Sequence, residues 1–244
     1  MSRSYPPPRQ PDPVPPFAFP IDPHALAWDD AMSVLVALAA DDLLQEREPV
    51  PTILAFSGDD PVASVGLRPF DPGEVGQALL EVLSLLVPLG ADRLAFGAAG
   101  RVWSLDDPIP PVCPEGDLRQ RAIVVALADA KQGRCTLTTS VHPFEGTGPD
   151  LVLHPPVIPH DPTVEDRKVD DLASAGPAAA LLVGALEQRD ELIELTRNHE
   201  LVAQLGRVLL LGHDLALAPD AATHLTEVSS RTSGDSRRRL SYPR

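Results

Sequence analysis

From Ala122 to Ala128 every position is apolar, and several are β-branched. The run is too short to favour a free helix, so it predicts a strand covered on both faces. Asp129 to Arg134 then read as a polar connection in which Gly133 can take a positive φ. Beyond it the pattern alternates. Cys135, Leu137, Thr139 and Val141 point one way, while Thr136, Thr138, Ser140 and His142 point the other, as in a second strand with one wetter face.

The rest of the chain arranges itself around this hairpin. Proline-rich residues 1–22 predict a disordered or polyproline-like arm. Ala25 to Leu44 carries apolar residues at helical spacing and predicts one amphipathic helix ending before Pro49. Thr52–Phe56 and Val62–Leu67, joined through Gly58 to Pro61, predict an antiparallel pair. Asp71 and Pro72 suit the start of a helix whose broad apolar face runs from Val75 to Leu86, before Pro88 and Gly90. Arg93–Phe96 and Arg101–Leu105, separated by two glycines and two alanines, predict a third hairpin, with Trp103 as a core anchor. Leu151–Leu153 predicts a short edge strand, since prolines follow at once.

From Val164 to about Leu217 the pattern is read as mostly helical, with Pro177 opening a long segment. Serines, threonines and arginines then predict a disordered basic tail. The domain plan is an arm over 1–22, a core over 23–163, a helical segment over 164–218 packed on the core or on a partner, and a tail over 219–244. The predicted class is α+β, with a mainly antiparallel sheet built from hairpins, flanked by helices.

Composition narrows the function classes. The chain has 244 residues, enough for one sizeable core, but only 4% are aromatic, so that core must be Ala, Val and Leu. A formal net charge of −15 argues against binding nucleic acid or anionic membranes, which need clustered cations. No run approaches the roughly 20 apolar residues of a membrane span, and the N-terminus lacks the apolar core of a secretion signal. A cytoplasmic location is expected. Two cysteines, Cys113 and Cys135, do not make a disulfide framework.

The chain lacks a phosphate loop, GxGxxG, HExxH, GxSxG and CxxC. The best catalytic candidate is the group His142, His154, His160 and Asp161. A proline-stiffened loop that folded back on the hairpin would gather these side chains into an open site for Zn or Mn, able to activate water for hydrolysis. Histidines capping loops or facing solvent are the plainer reading, because the spacings match no metal motif. Five Asp-Asp pairs, at 29–30, 41–42, 59–60, 106–107 and 170–171, read as turn and surface residues more readily than as Mg²⁺ or Ca²⁺ ligands.

The leading expectation is therefore a non-catalytic interaction, regulatory or scaffold protein, and the alternative is the metal-dependent hydrolase. The expected partner is a protein or a second copy of the chain. Leu192, Leu195, His199, Val202, Gly206 and Leu209 make a narrow stripe beside a second one containing Leu201, Leu205 and Val208. The segment would pack wholly on its own domain, or, as the alternative, one stripe would pack at home and the other on a twofold mate.

Overall fold

The computed structural model describes residues 26–70, 73–102, 119–131, 134–157, 176–196 and 198–221. A 3₁₀ turn, Trp28–Asp30, leads into α1 (Ala31–Leu44), followed by β1 (Thr52–Ser57), β2 (Asp60–Gly66), α2 (Val75–Leu86) and β3 (Arg93–Arg101). Then come β4 (Arg121–Lys131), β5 (Arg134–Glu145), β6 (Val152–Leu153), α3 (Pro177–Glu187), α4 (Arg189–Leu195), α5 (Asn198–Leu210) and β7 (Asp214–Leu217). The strands form one seven-stranded sheet in the order β6-β5-β4-β3-β1-β2-β7, and every neighbouring pair is antiparallel. The fold is thus α+β, as the hairpin pattern predicts.

Strand alternation divides the apolar residues between two faces. Leu54, Phe56, Ala95, Ile123, Val125, Leu127 and Phe144 share a core with Leu35, Ala39 and Leu43 of α1. Ile53, Ala55, Leu94, Phe96, Ala126 and Ala128 face the other way, into a core with Leu79, Val82 and Leu86 of α2, Leu182 and Leu186 of α3, and Leu201 and Val208 of α5. The unbroken run in β4 therefore serves two layers, with Ile123, Val125 and Leu127 toward α1 and Ala126 and Ala128 toward α3. Small residues on that face let α3 lie close across β4 and β5.

Two sequence expectations are corrected. Arg93 to Arg101 is not one arm of a hairpin turning at Gly97–Gly100 but a single nine-residue strand, paired to β1 through Thr52↔Gly97 and to β4 through Gly97↔Val125. Glycine there answers a packing demand. A Cβ on Gly97 would come within 2.9 Å of the Leu35 Cβ, so the missing side chain is what admits α1. Trp103 and Leu105 lie outside the described residues.

The long C-terminal helical segment is also not found. Its described part is three shorter helices, interrupted at Gln188 and at Thr196, whose φ of −84° and ψ of 109° are extended. After α5 the chain turns at Gly212, φ 90°, and enters β7, which pairs with β2 from Ala63↔Leu217 to Gly66↔Asp214. Four residues, Asp-Leu-Ala-Leu, are too few for periodicity to separate strand from helix. Among the described residues no helix is long and apolar enough to cross a membrane.

Candidate functional site

The two ends of the sheet differ in charge chemistry. At one end, Arg93 and Asp129 are direct cross-strand neighbours and pair Nε to Oδ1 at 3.3 Å. The Arg93 Nη1 also donates to the Gly58 carbonyl at 2.9 Å and to the Asp59 carboxylate in the β1–β2 turn. Its guanidinium lies 5.5 Å from the centre of the Trp28 ring, which meets Phe56 edge to face. The arginine is buried and neutralised, so this end is a structural knot.

At the other end three arginines converge on a cleft of about 430 Å³ lined by Arg101, Arg119, Gln120, Arg121, Phe144, Glu145 and Gly146. The register places them there. Arg101 ends β3 directly opposite Arg121, which begins β4 and faces Phe144 of β5. Arg119 is held beside them because its carbonyl accepts from Arg101 Nη1 at 3.0 Å, and the Val102 N–H donates to the Gln120 carbonyl at 3.0 Å. The Arg121 guanidinium lies 4.5 Å from the centre of the Phe144 ring, and that ring is buried. A guanidinium presents a planar fork that matches carboxylate or phosphate oxygens, so this arrangement is suited to an anion.

Two sites resemble catalytic pairs, and their geometry limits both. Ser140 Oγ lies 3.0 Å from His142 Nε2, and burial pushes the imidazole below its ordinary pKa, which suits a neutral base. Ser140 is only 2% exposed, however, so its oxygen is withheld from any substrate carbonyl. The second pair is Glu81 and His213. His213 Nε2 sits 3.0 Å from Glu81 Oε2, and its Nδ1 accepts the backbone N–H of Arg68 at 3.2 Å. Both ring nitrogens are thereby occupied, with the proton on Nε2. Arg68 closes the cluster with a two-pronged bond to Glu81 at 3.0 and 3.2 Å. That guanidinium, with help from His213, holds the Glu81 carboxyl down at about 2. This group clamps β2, α2 and β7 together, with the His213 side chain fully buried and the Glu81 side chain nearly so.

The predicted histidine site is only partly described. His142 lies on the α1 face of β5 opposite Ile123. His154 follows β6; its N–H donates to the Pro143 carbonyl, and its Nε2 lies 3.4 Å from Glu145 Oε1. His160 and Asp161 lie outside the described residues. Among the described residues no three His, Cys, Asp or Glu side chains are arranged to hold a metal. The described Asp-Asp pairs take up local roles, as when Asp42 Oδ1 binds Arg47 Nη2 at 2.6 Å. Cys135 is a free thiol that burial pushes up to about 11; Cys113 is outside the described residues.

The arginine cleft escaped the sequence reading, although a signal for it exists. Arg101 closes one apolar strand and Arg119 and Arg121 open the next, so antiparallel pairing brings them together. Arg68, Glu81 and His213 carry no such signal, since Glu81 and His213 stand 132 residues apart. Comparison with protein-family models, curated proteins and solved structures finds no match for this chain.

Proposed function

We propose that the chain is a non-catalytic interaction module, of the regulatory or scaffolding kind, whose arginine cleft takes up an acidic segment of a partner protein. The observation that carries this reading is the direct opposition of Arg101 and Arg121 across paired strands, with Arg119 beside them, in a chain whose net charge is −15. Such a cluster runs against the charge of the whole molecule, and its planar forks match the oxygens of a carboxylate entering the cleft. Phe144 supports the central guanidinium in one orientation, which reduces the ordering required on binding.

Amide shifts in a ¹⁵N spectrum, followed while a glutamate-rich peptide is added, test this reading. Saturable shifts concentrated at Gln120, Arg121, Glu145 and Gly146 support it. Shifts spread evenly over the surface, or none at millimolar peptide, contradict it.

Self-association is a second reading, favoured by one feature of α5. Leu201 and Val208 are spent on the home core, while Val202 is 36% exposed, Leu209 51% and Leu210 90%. A twofold mate would cover that outward face.

A further inference from the structure

We propose that His213 is an acid-released clasp that holds the edge strand β7 against β2. Gly212 turns the chain out of α5, and the His213 side chain is fully buried between that turn and the β2–α2 connection. Its Nδ1 accepts the N–H of Arg68, two residues beyond the last residue of β2, while its Nε2 donates to Glu81 of α2. Asp214, the next residue, makes the first ladder pair of β7 with Gly66. One ring therefore fixes the start of β7 to both neighbouring elements.

Protonation undoes this arrangement. A proton on Nδ1 would face the Arg68 N–H, donor against donor, and the bond would be lost. Each charged neighbour bears on the outcome. Glu81 would attract an imidazolium, but it already accepts two bonds from Arg68 and one from Gln77 Nε2 at 3.2 Å. The Arg68 charge opposes a second cation, and Glu74, ahead of α2, acts on Arg68. Asp214 follows in β7 with its carboxyl pushed up by burial, so it is a weakened counter-charge. From α5 the cluster receives the Val208 carbonyl, which accepts the His213 N–H at 3.3 Å.

Burial holds His213 below the ordinary imidazole value of 6.5, with Arg68 adding to the effect. The released ring binds protons more readily than the clasped one. Release is thus disfavoured at neutral pH and increasingly favoured as pH falls below about 6.5, by at most about tenfold per pH unit, the slope of one proton. β7 has four residues, all half-buried, and opens before the centre of the sheet. Its departure bares the edge of β2 over Ala63–Gly66, which then becomes a template for another strand.

Hydrogen exchange on the full chain at pH 7.5 and 5.5, corrected for the chemical rate, tests the clasp. Opening in segments 62–66 and 213–218 should rise by roughly tenfold relative to β3. His213→Gln, which retains a donor toward Glu81 but does not titrate, should abolish that response. Acid-independent exchange of β7, or the same response in folded H213Q, overturns the proposal. If H213Q does not fold, the wild type decides by ring titration. A shared midpoint for the His213 ring and the Leu215 and Leu217 amides supports the clasp, and ring titration without loss of β7 protection overturns it.

Discussion

Gly97 of β3 lies directly against Leu35 of α1, so closely that a Cβ on the glycine would stand 2.9 Å from the Leu35 Cβ and 3.2 Å from a Leu35 Cδ. Leu35 is 2% exposed and cannot swing into solvent. Gly97→Ala should therefore destabilise the fold by about 2 kcal/mol, the usual scale for overpacking a filled core. The double variant with Leu35→Ala should be less destabilised than the sum of the two single changes. Chemical unfolding of the four proteins measures this. A neutral Gly97→Ala would mean that α1 sits farther from the sheet than described.

The same contact shows what was legible in the sequence. Ile53, Leu54, Ala55 and Phe56, and the apolar run of β4, announce strands because alternation is local and both faces are filled. The Gly97–Gly100 stretch reads as a turn because glycine marks turns and close approaches alike, and only the position of α1 separates the two. β7 is illegible in the sequence for a different reason. Its strand character comes from pairing with β2, which lies about 150 residues earlier by the Gly66↔Asp214 partnership, rather than from its own four residues. The arginine cleft was readable in principle as charges flanking adjacent strands, whereas the Arg68–Glu81–His213 clamp depends wholly on tertiary placement.

Glu81 should dominate acid unfolding below pH 5. Its carboxyl falls from an ordinary 4.5 to about 2 in the folded chain. A lowered carboxyl contributes stability that is complete above the unfolded value and is lost as pH falls from about 4.5 through about 2. Urea midpoints should drop across that window, and Glu81→Gln should start lower at pH 6 and fall less steeply. A variant whose midpoint tracks the wild type at every pH would remove Glu81 from this role.

Leu182 of α3 is fully buried in the same core as Ile53, Leu79 and Val208. Leu182→Ala should cost about 3 kcal/mol, the middle of the range for a buried leucine. Loss of sheet and helix signals should remain one transition, because α3 and the strands share that core. Two separated transitions would show that the C-terminal helices fold apart from the sheet.

The outward face of α5 gives a prediction about assembly. If Val202 and Leu209 meet a second copy, Val202→Asp with Leu209→Asp should convert a dimer into a folded monomer by light scattering, with little change in thermal midpoint at low concentration. A wild-type monomer at tens of micromolar would dismiss the twofold contact.

Binding of an acidic peptide separates a local arginine site from the field of the whole chain. Fluorescence anisotropy would follow a labelled eight-residue glutamate peptide and its glutamine counterpart at low salt. Because the whole chain carries −15, diffuse electrostatics repel the glutamate peptide, and attraction must come from a local site. Saturable binding is expected of the glutamate peptide alone, weakened at least about tenfold by Arg121→Gln and progressively by added salt. Equal binding of the two peptides, or an affinity unchanged in a folded Arg121→Gln protein, would contradict that local site.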